Sequence, residues 1–126
     1  MFNNIIKKFS DITDIHITDI HHRDKKQIPS GTASMLARSI FNLISINNNK
    51  NFSNISDIKL ASIRLGNVIG KHSITFINNL ECIEIKHTVY HRKSFAIGAI
   101  RAAKWITNYK TGLFNINNIF ANKKID

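Results

Sequence analysis

His21-His22-Arg23-Asp24-Lys25-Lys26-Gln27-Ile28-Pro29-Ser30-Gly31-Thr32-Ala33 is where two periodicities meet. Before it, residues 13–20 alternate, with Ile15 and Ile17 set against His16 and Thr18, which predicts a strand that delivers His21 and His22 at its C-terminal end. After it, Ala33, Leu36, Ile40, Leu43 and Ile44 recur at helical spacing, and Ser30 is placed to cap that helix. The first N–H groups of a helix lack intrahelical partners and, with the local dipole, bind anions. A histidine titrates near neutral pH and can give or take a proton. With Arg23, Lys25 and Lys26 alongside, the stretch suits chemistry on a small polyanionic acid.

Outward from this joint, Phe2, Ile5, Ile6 and Phe9 predict a short amphipathic helix, and Asn47–Asn54 a long surface loop. Residues 58–65, 71–77 and 81–90 read as strands, the last long enough to suggest pairing beyond its own subunit. In the second, His72, Ile74 and Phe76 alternate with Ser73 and Thr75. In the third, Ile83, Ile85, His87 and Val89 alternate with Cys82, Glu84, Lys86, Thr88 and Tyr90. Residues 94–109 predict a last helix, with Phe95 and Trp105 in the core and Gly112 at its stop. The tail from Leu113 to Phe120 is expected to pack on the sheet. This order predicts one α+β domain over residues 1–126: a mixed, mostly antiparallel four-stranded sheet covered by helices on one face. Ile63, Leu65 and Val89 are expected on the other face, available for oligomerisation.

The chain has 126 residues, 43% hydrophobic and 21% charged, as in ordinary globular proteins. No apolar run approaches the roughly 18 residues of a membrane span, and the N-terminus lacks the apolar stretch of a signal peptide. The single Cys82 excludes an internal disulfide, and cytoplasm is the expected compartment. The net charge of +10 is scattered rather than blocked, alongside abundant Asn, Ile and Lys, so it reads as compositional background. A basic nucleic-acid-binding domain stands as one alternative; it lacks the aromatic-basic interleaving of single-strand binders. His16, His72, His87 and His91 read as structural or surface residues without metal-motif spacing, so no metal is expected. Cys82 is expected half-buried on its strand.

These residues resemble a known family. His21-His22-Arg23, Lys25 and Pro29-Ser30-Gly31-Thr32-Ala33 are similar to the signature loop of dihydrodipicolinate reductases, also called 4-hydroxy-tetrahydrodipicolinate reductases. Arg64 with Gly66, then Gly70 and His72, resembles their Arg-x-Gly turn followed by Gly-x-His. Glu84, His87 and Arg92, the run Phe95–Trp105, and Gly112-Leu113-Phe114 continue the likeness. Gln27-Ile28 departs from it, standing where the family often has Asp-Ala.

The resemblance implies the C-terminal substrate-binding and tetramerisation domain alone. The family's N-terminal Rossmann domain, which binds NADPH or NADH, has no counterpart, since no Gly-x-Gly-x-x-Gly follows a strand. Cofactor-binding residues therefore stay unassigned, and a separate Rossmann-domain polypeptide is a possible partner. By resemblance, His21 is the proton donor and Lys25 the second catalytic cation. His22, Ser30, Gly31 and Thr32 contact a dicarboxylate substrate in lysine and diaminopimelate synthesis, and the assembly is a homotetramer. The alternative within the family is a non-catalytic oligomerisation remnant.

Overall fold

The computed structural model describes residues 1–9 and 11–121. Residues 1–90 make one compact unit and residues from His91 onward a second. In the first, α1 (Phe2–Lys8) precedes β1 (Asp14–His21), α2 (Gly31–Ile46), a 3₁₀ turn at Ile55–Asp57, β2 (Lys59–Arg64), β3 (Gly70–Ile77) and β4 (Cys82–Val89). The four strands lie in the order β2-β1-β3-β4. β1 runs parallel to β2 and antiparallel to β3, which is antiparallel to β4. The expected mixed, mostly antiparallel α+β sheet is what forms.

Strand alternation decides what is buried. Ile15 and Ile17 of β1 face Ile40 and Ile44 of α2 in the core, with Phe76 and Ile74 beside them on β3. Ala33 and Ala37 belong to the same α2 stripe, and their small side chains suit a close helix–sheet approach. α1 adds Ile6, and Phe9 at its C-terminal cap is also buried. Val89 was expected on the open face but shares the covered one: it pairs with Gly70, two residues from His72, and the period of two fixes its side. The open face carries His16, Thr18 and Ile20 of β1 beside Lys59, Ala61 and Ile63 of β2. β4 is no longer than β1 or β3, and it forms one edge of the sheet. Cys82, at its start, is exposed rather than half-buried.

The Asn-rich segment after α2 is anchored as well as exposed. The side chains of Asn49 and Asn51 donate to the Ile12 carbonyl at 3.3 and 2.9 Å, and Phe52 is buried. Amide side chains here do the work of a backbone ladder, which composition alone does not reveal.

In the second unit, α3 (Lys93–Ile106) is followed by α4 (Ile116–Ala121). No residue of α3 is buried: Phe95, expected in the core, is exposed, and Trp105 is half-buried against Tyr109 and Phe114. The helix stops well before Gly112. Its last carbonyls are met instead by the Thr107 hydroxyl, 2.8 Å from Lys104 O, and the Asn108 amide, 3.0 Å from Trp105 O, so no glycine cap is required. Within this unit the tail forms α4, and Phe114 packs on Trp105 and Tyr109.

Phe76 is the largest fully buried side chain, so truncating it leaves a cavity as well as losing transfer energy. Phe76→Ala should lower unfolding stability by about 3–5 kcal/mol. Urea denaturation followed by circular dichroism checks this; a shift below about 1 kcal/mol would place the core elsewhere.

Candidate active site

The covered face of β1 runs Ile15, Ile17, Asp19, His21, so an apolar stripe ends in a carboxylate and an imidazole. Asp19 has no solvent exposure. A buried carboxylate is costly unless paired and hydrogen-bonded, and Asp19 is surrounded. The Ser30 N–H donates to its Oδ2 at 2.9 Å, the Ser62 hydroxyl at 3.2 Å, and Arg64 Nη2 lies 3.5 Å away. Its Oδ1 lies 2.7 Å from His21 Nδ1 and 3.3 Å from His72 Nε2. The register makes this possible: Asp19 is opposite Ser62 on β2 and opposite His72 on β3.

Ser30 begins α2 as expected. Its hydroxyl accepts from the Ala33 N–H at 3.2 Å and lies 3.3 Å from His72 Nε2, while its own N–H is bound by Asp19. Its polar groups are thus occupied within the fold. Gly31 and Thr32 are exposed on the first turn of the helix, where N–H groups have no intrahelical acceptor. Thr32 and His72 also line a cleft of about 230 Å³ whose walls include Leu36, Ile74, Ile85 and His87.

Residues 22–27 are strapped to the end of β2. Leu65 N–H donates to His21 O at 2.9 Å, and Arg23 N–H to Gly66 O at 3.0 Å. Gly66 has φ +48, the left-handed conformation that favours glycine at this turn. Arg64 donates from Nε to Lys25 O at 3.0 Å and from Nη2 to Gln27 O. Lys25 and His22 are half-buried, and the Lys25 N–H donates to His22 O at 3.2 Å. No side-chain bond joins His22 to the Asp19 cluster among the described residues. Gly70 leaves room for His21: a Cβ there would stand 3.3 Å from its Nε2.

The electrostatics follow from burial and charge. Burial pushes His21 below its usual 6.5; Asp19 opposes this, and the Lys25 and Arg64 charges add to it. Burial likewise depresses His72, against the pull of Asp19 and with the push of His21 and His87. Burial works to raise the Asp19 carboxyl, but the Ser30 N–H and hydroxyl, the His21 charge and the Ser62 hydroxyl together hold it below 3.8.

His21 and Ser30 are therefore brought together around Asp19, with the Lys25 charge acting on His21 and with Gly31 and Thr32 on the adjoining helix turn. Sequence reading passed over Asp19 and took His72 as a structural or surface residue; the structure brings both against His21. The signal for both was parity: each sits on the apolar side of its strand. Asp19, His21 and His72 each place one potential ligand atom within 4.8 Å of the others, so among the described residues this trio is what could hold a metal ion. An ion would have to displace the Asp19–His21 contact, with the Arg64 guanidinium close behind.

A family model described as "Dihydrodipicolinate reductase, C-terminus" matches residues 1–120, and the chain belongs to that family. It is 46% identical over 106 residues to the 4-hydroxy-tetrahydrodipicolinate reductase of Wigglesworthia glossinidia brevipalpis, covering 84% of this chain and 37% of that protein. It is 40% identical over 128 residues to the enzyme of the same name from Buchnera aphidicola subsp. Schizaphis graminum (strain Sg), covering 93% of this chain and 47% of that one. The chain thus spans less than half the length of these relatives. The fold matches the dipicolinate-bound dihydrodipicolinate reductase of Paenisporosarcina sp. TG-14 with a TM-score of 0.69 at 22% identity, over 94% of this chain and 49% of that one.

Because both imidazoles are depressed, the unfolded chain takes up protons in a range where the folded chain does not. The stability gained by keeping them neutral is complete above pH 6.5 and is lost as pH falls through their folded values. Melting temperature should fall as pH drops below 6.5, and His72→Gln should flatten part of that fall in calorimetry. An unchanged slope would remove His72 from the titrating cluster.

Proposed function

We propose that this chain is the substrate-binding and catalytic half of an NAD(P)H-dependent reductase that converts 4-hydroxy-tetrahydrodipicolinate to tetrahydrodipicolinate. The observation that carries the reading is a buried, carboxylate-backed histidine beside the exposed first turn of a helix, on the residues that match the family's signature loop. Its place would be lysine and diaminopimelate synthesis, in the cytoplasm. Among the described residues no helix is long and apolar enough to cross a membrane.

The chain's own part is to hold a dicarboxylate and move a proton. Gly31 and Thr32 present the α2 N-terminus to one carboxylate. Lys25 and His22 contribute positive charge and a hydrogen bond. His21 is the proton donor, a role worth about 10²–10⁴-fold. In the free site its depressed pKa keeps it neutral near pH 7. A dianion beside it favours the imidazolium, so the substrate charges its own acid. NADPH or NADH supplies hydride when bound. The site shows no glycine-rich turn between strand and helix to hold a dinucleotide, so the cofactor would be held by residues outside this chain. A homotetramer built through the open sheet face, where Ile63 is exposed, completes the family-based reading.

Calorimetric titration with pyridine-2,6-dicarboxylate tests this directly. Saturable binding, weakened at least tenfold in Lys25→Ala and Thr32→Val, is expected. Proton uptake near pH 7, read by comparing buffers of different ionisation enthalpy, should accompany it. No binding would favour an oligomerisation remnant, and binding without proton uptake would dismiss His21 as the group that charges.

Joined to a cofactor domain, His21→Ala and Lys25→Ala should each cut turnover at least a hundredfold. Near-normal rates in either variant would end the role assignment.

A further inference from the structure

The two oxygens of Asp19 face different things. Oδ2 meets the scaffold: the Ser30 N–H at the start of α2, the Ser62 hydroxyl and Arg64 on β2. Oδ1 meets the imidazoles, His21 Nδ1 at 2.7 Å and His72 Nε2 at 3.3 Å. Resting on the reductase reading, we propose that Asp19 is a positioning residue: its Oδ1 holds His21 by Nδ1, so that Nε2 is the nitrogen that exchanges a proton with substrate, while its Oδ2 ties that imidazole to the helix turn that binds the carboxylate.

First, the imidazole has one anchor at Nδ1. His21 Nδ1 is a buried atom for which the described residues offer no partner besides Asp19 Oδ1 at 2.7 Å, whereas His72 Nε2 stands farther from that oxygen, at 3.3 Å, and is shared with the Ser30 hydroxyl. A carboxylate beside one ring nitrogen favours a proton there, which leaves the other nitrogen as the exchanging one. Second, the anchor is rigid. Asp19 is fully buried, and its Oδ2 contacts come from a helix start and a neighbouring strand rather than from loop side chains. Third, the ring is confined: His72 packs edge-on to it at 5.1 Å between centroids, and Gly70 lies under Nε2. The charged or titratable groups acting on His21 are Asp19 on its own strand, Arg64 from β2, His72 from β3, and Lys25 from the loop.

The test is nitrogen-15 NMR of histidine-labelled chain, free of substrate and cofactor. Neutral His21 should carry its proton on Nδ1. In Asp19→Asn, which keeps an oxygen for the Ser30 N–H, that tautomer preference should be lost. The titration midpoint of His21 should also move down, because the negative charge favouring the imidazolium is gone. Ser62→Ala, which removes a scaffold contact and leaves the charge, should change neither. A chelator should leave the parent spectrum unchanged.

An Nε2-protonated neutral ring in the parent chain overturns the proposal without any variant having to fold. So does a midpoint in Asp19→Asn equal to the parent's, a Ser62→Ala shift as large as that of Asp19→Asn, or a chelator-sensitive spectrum, which would mean a metal rather than Asp19 organises the ring. Dicarboxylate titration separates the two readings: a parent chain with the Nδ1 tautomer that binds no pyridine-2,6-dicarboxylate overturns the substrate reading, and with it the purpose assigned to Nε2.

Discussion

A carboxylate with no access to water constrains everything around it. Asp19 stays ionised only because β2, β3 and the start of α2 each bring it a partner. Desolvation alone works to neutralise it, and the surrounding donors outweigh that. Removing one partner of a buried charged cluster leaves the rest uncompensated, which is why such groups lock their surroundings into one arrangement. The parallel pairing of β1 with β2, the capping of α2 and the placement of His72 are three answers to the same requirement.

Arg64 shows how the constraint reaches the loop. Its Nη2 both approaches Asp19 and donates to the Gln27 carbonyl, while its Nε donates to the carbonyl of Lys25. The rigid fork of arginine suits this in a way a lysine ammonium does not. Both carbonyl contacts use backbone oxygens. Gln27-Ile28, which departs from the family's usual pair, therefore still offers the acceptor at residue 27 whatever its side chain.

Much of this was legible in the chain. The alternation of Ile15 and Ile17, the Ser30 cap and the Ala33–Ile44 stripe are local patterns, and local geometry reproduces them. Asp19 was legible in principle. A residue two before His21 on the same strand shares its face, and a carboxylate on an apolar face must be paired. His72 was half legible: its parity marked the covered face, but its position opposite Asp19 depends on register, which one strand's sequence does not contain. The α3 stop illustrates the opposite failure. Gly112 looked like a cap, while Thr107 and Asn108 already satisfied the helix end. The apolar residues of α3 suggested a core, yet Phe95 is exposed, because amphipathicity identifies a face and not what covers it.

The pairing of Asp19 with both Ser62 and His72 also makes the site a reporter of strand alignment. A slip of one residue between β1 and β3 would turn His72 to the open side and leave the carboxylate facing Ser73 or Lys71 positions instead. Misaligned compact states therefore carry an unsatisfied buried charge that the native state lacks. The same group that gathers His21, His72 and Ser30 penalises the near-native alternatives, so assembly of this cluster and correct folding are selected by one energetic criterion.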